Sequence, residues 1–223
     1  MFLYGFSHQK NKAKKVRDIL VEFEEGSNLF MNYQMVNKLL IQNGRSVKNQ
    51  SKSVIDLHKL ETNVLSHPMV ANASVFLTID GLLKTKIEQR KPIARITSNG
   101  KSYYIDKQAT IMPLSENYSA RVLLVSGNVS EQDSEEIHYL VSTILKDNFL
   151  KKQVIGIHKT PENEFILKSR VGNQEIILGK LNDLSQKLKN LNSFYNKTMA
   201  DKTIENYALV NLKYNNQVVC TKK

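Results

Sequence analysis

There is no tryptophan in this chain, only one cysteine (Cys220), four prolines and nine glycines. A single cysteine excludes an intramolecular disulfide. It also excludes a zinc site built on thiolates, which takes two to four of them. The glycines at 5, 26, 44, 81, 100, 127, 156, 172 and 179 are too widely spaced for G-x-G-x-x-G. Gly172 and Gly179-Lys180 miss the spacing of a P-loop, and Leu181 stands where that motif needs Ser or Thr. The histidines (His8, His58, His67, His138 and His158) are scattered, with no H-E-x-x-H or other ligand spacing. No segment approaches the roughly 18 apolar residues that span a bilayer.

The same scarcity argues against catalysis. Cys220 lies near a basic terminus with no partner base in the local sequence. Ser126-Gly127 lacks the flanking residues of a nucleophile elbow. Glu131, Asp133, Glu135 and Glu136 form an acidic cluster, but carboxylates are favoured in the first turns of a helix by its dipole. The expectation is a protein that is not an enzyme, with no catalytic residue, no cofactor and no metal.

What is present is an ordinary globular composition with a strong basic excess. Hydrophobic residues are 41% and charged residues 24% of the 223, and the net charge is +11. That length suits one large or two small domains. A basic excess admits three partners: nucleic acid, an anionic membrane surface or an acidic protein. The charge is spread along the chain, as on a solvated surface, apart from a run at Lys10, Lys12, Lys14, Lys15 and Arg17. For nucleic acid the best local feature is Tyr103-Tyr104 between Lys101 and Lys107. Strand alternation sets these tyrosines on opposite faces, so at most one can stack a base. Strand packing explains them equally, and no nucleic-acid partner is expected.

Periodicity predicts an α+β fold in two parts. Val16 to Phe23 reads as a strand ended by Gly26-Ser27-Asn28. Met31, Met35, Val36, Leu39 and Leu40 mark one helical face, with Gly44 as its C-cap. Ser53 is placed to cap a second helix bearing Leu57, Leu60, Val64 and Leu65, and His67-Pro68 stops it. Val75, Leu77 and Ile79 form a strand, Asp80-Gly81 a two-residue hairpin and Leu83 to Gln89 its return. The order is β-α-α-β-β. Asn99-Gly100 is a further hairpin signal leading into Ser102 to Ile105. Arg121 to Val125 is a short strand, and Ser130 opens a helix with Ile137, Leu140, Val141, Ile144 and Leu145 on its buried face. Three strands follow: Gln153 to His158, Glu164 to Val171 and Gln174 to Leu178. Leu181, Leu184, Leu188, Leu191 and Phe194 mark another helix. Tyr207 to Tyr214 is the last strand. Ala208, Val210, Leu212 and Tyr214 share one of its faces, Leu209, Asn211 and Lys213 the other. Met1 to Phe6 is apolar and precedes the basic run, the reverse of a secretory signal. It reads either as the stub of a membrane anchor or as a short segment packed on the domain.

The β-α-α-β-β order, ending in Gln89-Arg90-Lys91-Pro92-Ile93-Ala94-Arg95-Ile96, resembles the POTRA domain of the bacterial division family FtsQ/DivIB. Ile177-Leu178-Gly179-Lys180 before a helix is similar to that family's strand-Leu-Gly-basic-helix passage. Val210-Asn211-Leu212-Lys213-Tyr214 is similar to its final strand. The resemblance runs from about Lys15 to Gln217 and implies three segments. These are an anchor stub and basic linker over residues 1–14, a POTRA domain over 15–96, and a mainly antiparallel β domain with two helices over 97–223.

The resemblance further implies a non-enzymatic scaffold of the division machinery. Such a protein is held in the inner membrane by one N-terminal helix, here reduced to Met1 to Phe6. Its remainder is extracytoplasmic, at the septum. The POTRA domain would recruit other division proteins. The final strand, Tyr207 to Tyr214, would be an edge strand that pairs with a partner of the FtsB/FtsL type through Val210, Asn211, Leu212, Lys213 and Tyr214. Tyr214 matches the family's partner-contacting tyrosine. Lys213 matches an arginine facing an acidic partner residue, and it keeps the charge but not the bidentate fork. The family continues into a small-residue stretch and a Trp, where this chain reads Asn215-Asn216-Gln217-Val218-Val219-Cys220. Two other readings stand beside this one: a POTRA module of another envelope assembly or secretion complex, and a basic nucleic-acid-binding protein.

Overall fold

The computed structural model of the chain describes residues 14–24, 29–214 and 217–223. Met1 to Phe6, Lys10, Lys12, the Gly26-Ser27-Asn28 turn and Asn215-Asn216 lie outside them. The described residues form two compact units. One runs up to Arg90 and includes Ser115–Ser119; the other comprises Lys91–Leu114 and the chain from Ala120.

The first unit follows the order read from the sequence, with one addition. Strand β1 (Asp18–Phe23) leads to helix α1 (Tyr33–Leu39), whose N-cap Asn32 accepts from the Met35 N–H at 3.0 Å. Gly44 does not cap this helix. With Asn43 it forms a turn of positive φ (52° and 71°) between two short strands, β2 (Ile41–Gln42) and β3 (Arg45–Ser46). Asn-Gly is the dipeptide that a two-residue hairpin favours, and that local preference prevails over helix capping. Ser53 likewise lies in a 3₁₀ turn. The cap of α2 (Leu57–Leu65) is Asp56, which accepts from the Lys59 N–H. Strands β4 (Val70–Leu77) and β5 (Leu82–Gln89) are antiparallel, and β1 joins β5 in parallel, giving the sheet order β1-β5-β4. Their connection spans Thr78 to Gly81 rather than two residues, with the Thr78 N–H donating to the Leu82 carbonyl. Val21, Val36, Leu60, Val64, Val75, Leu83 and Ile87 are buried together as the apolar core. Residues Ser115–Ser119 close this unit. Ser115 Oγ donates to the Phe30 carbonyl at 2.8 Å, and the Tyr118 ring meets the Phe30 ring edge-on at 5.2 Å.

The second unit starts earlier than the sequence reading placed it. Pro92 to Ile96 belong to β6 (Pro92–Ser98), which pairs with β7 (Lys101–Asp106) and in parallel with β9 (Leu123–Gly127). The division therefore falls after Arg90, not at Ile96. The β5 ladder ends opposite Val70, and from Pro92 onward the ladder partners lie in another sheet. Short β8 (Ile111–Met112) follows β7.

Ser130 and Asp133 form a capping box that leads into α3 (Ser134–Lys146). After the one-turn α4 (Leu150–Gln153) come β10 (Val154–Lys159), β11 (Phe165–Ser169) and β12 (Glu175–Gly179). The 17-residue α5 (Leu184–Ala200) leads to β13 (Tyr207–Asn211), and β14 (Val219–Lys222) pairs antiparallel with β13. The nine-stranded sheet has the order β14-β13-β12-β11-β10-β9-β6-β7-β8.

Period-2 alternation sorts this sheet. Ile96, Val125, Ile157, Leu167, Ile176 and Val210 pack with Ile137, Leu140, Ile144, Leu188, Leu191 and Tyr195 of α3 and α5 in one core. Opposite lie Arg95, Leu124, Gly156, Lys168, Glu175 and Leu209, successive in register across the sheet, with Leu124 56% exposed. Tyr103 and Tyr104 do stand on opposite faces, yet both are buried. The Tyr104 hydroxyl accepts from the Ala120 N–H, so neither ring is free to stack a base.

Candidate functional site: the last two strands

The expected site residues divide into two sets. Val210 and Leu212 are buried in the core, and the Leu212 N–H donates to the Ile177 carbonyl at 2.9 Å. Their side chains are engaged in packing. Asn211, Lys213 and Tyr214 are outside the core. Asn211 stands opposite Ile177 on one side and Val219 on the other, and its Oδ1 accepts from the Lys213 N–H. Tyr214 is 51% exposed, so it does not close the core face with Val210 and Leu212.

Lys213 is held in place. Its Nζ lies 2.7 and 2.9 Å from the two carboxylate oxygens of Glu164. Its aliphatic stem passes over Gly179, where φ is +72° and a β-carbon would stand 2.8 Å from Lys213 Cγ. The Leu-Gly-basic passage and the final-strand passage therefore meet in space, and the glycine makes room for the lysine. Nearby, Lys187 is buried. Its Nζ donates to the Lys180 carbonyl (2.7 Å) and Asn182 Oδ1 (3.2 Å), and burial pushes its pKa down. Lys187 lies close enough to Glu164 and Lys213 to feel both charges.

One expectation is corrected here. The strand ends at Asn211 rather than Tyr214, and it is not an edge: β12 flanks it on one side and β14 on the other. The passage where the chain departs from the family, Asn215-Asn216-Gln217-Val218-Val219-Cys220, runs into β14, and Val218, Val219 and Thr221 there are β-branched. Val218 and Cys220 pack on the core, whereas Val219 and Thr221 stand opposite Asn211 and Leu209. The β-branched residues Val218, Val219 and Thr221 were the available signal for β14. Among the described residues there is no group of three or more metal-ligating side chains, and no helix is long and apolar enough to cross a membrane.

Residues 91–221 match the family model described as FtsQ/DivIB, C-terminal related. The chain belongs to the FtsQ/DivIB family. Residues 15–88 match the POTRA-like domain model, in keeping with the β1-β5-β4 sheet and its two helices. The cell division protein DivIB of Clostridium acetobutylicum is 22% identical over 188 residues, covering 78% of this chain and 73% of that protein. The two matched regions meet at residues 88 and 91, beside the division after Arg90. An FtsQ/DivIB-type protein is a cell-division protein, and β13, Lys213 and Tyr214 all fall inside the matched C-terminal region.

Proposed function

We propose that this FtsQ/DivIB-type chain is a non-enzymatic scaffold of the septal assembly, capturing a partner of the FtsB/FtsL type through β13 and the Lys213-Tyr214 segment. The observation that carries it is the half-exposed Tyr214, just past the end of β13, where the inward Val210 and the following Leu212 are buried. Strand addition supplies main-chain hydrogen bonds that carry little sequence information. An exposed aromatic beside the strand supplies an anchor. Lys213 adds steering toward an acidic residue and fixes register. On this reading the POTRA unit recruits other division proteins. The whole is held in the inner membrane by a single N-terminal helix, with the two units extracytoplasmic at the septum.

Tyr214→Ala tests the reading. Capture of the FtsB-like partner should weaken about 30-fold, equivalent to about 2 kcal/mol, while the melting temperature stays within a degree or two of the parent. Unchanged capture would remove Tyr214 from the site. A fluorescently tagged full-length protein spread evenly over the envelope would count against the septal role.

A further inference from the structure

We propose that β14 is a stand-in strand. It fills the side of β13 that the partner's strand takes, and the partner binds by replacing it. This rests on the strand-addition reading above and specifies how that addition happens.

Four observations point there. First, β13 has no vacant side among the described residues, since β12 and β14 flank it. Second, β14 is weakly held. It spans four residues, none of them fully buried, and its ladder shifts register between Tyr207 and Leu209. Third, its inward contribution is modest and easily copied. Val218 and Cys220 lie partly buried on the core in alternation, and any extended segment with two small apolar residues two apart can occupy the same positions. Fourth, the outer side of β14 is a poor alternative. It is short and ends in Lys222, the device by which sheet edges resist pairing.

The invading strand is thereby described. It runs antiparallel to β13, as β14 does, and sets small apolar side chains where Val218 and Cys220 sit. It also carries an acidic residue near Lys213. Ladder bonds lost with β14 are regained with the partner.

Cys220 is the chain's single cysteine and reports on this directly, because displaced β14 carries it into solvent. Adding the FtsB-like partner's ectodomain to the parent protein should raise the rate of iodoacetamide labelling of Cys220 at least tenfold. A locked form gives the converse. Leu209 and Thr221 stand opposite each other on the face away from the helices, and facing Cα atoms of an antiparallel pair lie within disulfide range. Leu209→Cys with Thr221→Cys, in a Cys220→Ser background, should lose capture at least tenfold when oxidised and regain it on reduction. Its melting temperature when oxidised should be no lower than when reduced. Partner binding that leaves labelling flat, or a locked form that captures as well as the reduced one, overturns strand replacement and leaves a contact through Lys213 and Tyr214 made without the β13 ladder. Capture by none of the forms overturns both.

Discussion

Lys213 crosses Gly179 so closely that a β-carbon there would stand 2.8 Å from its Cγ. Gly179 closes β12 and Lys213 follows β13, so the contact ties the ends of two neighbouring strands together. A left-handed conformation costs a side chain about 1–2 kcal/mol. Gly179→Ala should therefore lower the unfolding free energy by about that much, read as a lower urea midpoint. It should also push Lys213 away from Glu164. An unchanged midpoint would mean that the backbone there relaxes freely.

Glu164 holds the Lys213 ammonium against a carboxylate of its own chain, with side chains 27% and 44% exposed. Such a pair contributes about 1 kcal/mol or less. Glu164→Gln should thus leave stability nearly unaltered while freeing Lys213 for an acidic partner. At low salt, capture should tighten about two- to fivefold, and at 0.5 M salt the gain should vanish. A loss of capture would show that Glu164 positions Lys213 rather than competing for it.

Stability should decline at both ends of the pH scale. Burial opposes ionisation of Asp133, but hydrogen bonds from Lys159 Nζ (2.8 Å), the Ser130 N–H (2.7 Å) and the Ser130 hydroxyl (2.9 Å) outweigh it. Its pKa is held below the usual carboxylate range. Asp147 behaves alike: burial is outweighed by bonds from the Leu150 and Phe149 N–H groups and Asn192. Groups with depressed folded values stabilise above the unfolded pKa, about 3.9 for Asp, and lose that contribution as pH falls further. Lys159 is the reverse. Burial disfavours its charge, yet hydrogen bonds to Asp133 and Glu136 raise its pKa. Its contribution is complete below about pH 10.4 and is lost as pH rises beyond that. Burial also pushes the His67 pKa down and the Cys220 and Tyr103 values up, so their contributions are lost below about pH 6.5 and above about pH 8.5 and 10 respectively. Urea midpoints should be highest from about pH 7 to 8 and fall on either side. Lys159→Met should lessen the alkaline fall and leave the part due to Tyr103 and Cys220; a midpoint level down to about pH 2.5 would refute the acid arm.

Thr85 is fully enclosed in the sheet of the first unit, and its hydroxyl finds no hydrogen-bond partner among the described residues. Thr85→Val keeps the shape and removes an unsatisfied polar group, worth about 1 kcal/mol or more. The variant should melt several degrees higher. A lower melting temperature would reveal a partner for that hydroxyl.

Much of this architecture was legible in residue order. The strands from Asp18, Leu82 and Phe165, and the helices bearing Leu60, Ile137 and Leu188, follow from hydrophobic spacing, because each buries one face. Competition between local signals was less legible. Asn43-Gly44 beside a helix end admits either a cap or a hairpin, and Ser53 and Asp56 both suit a cap.

The final strand divides the two kinds of information most clearly. Alternation by itself determined that Val210 and Leu212 share a face, and the family pattern marked Lys213 and Tyr214 beside them. Only the tertiary structure decided that Tyr214 is exposed, that Lys213 reaches Glu164, forty-nine positions back along the chain, and that β14 covers the side of β13 expected to be free. The physical reason is that side-chain period is a property of one strand. The neighbour that satisfies its backbone groups depends on where distant segments end, and spacing along a single strand does not encode that.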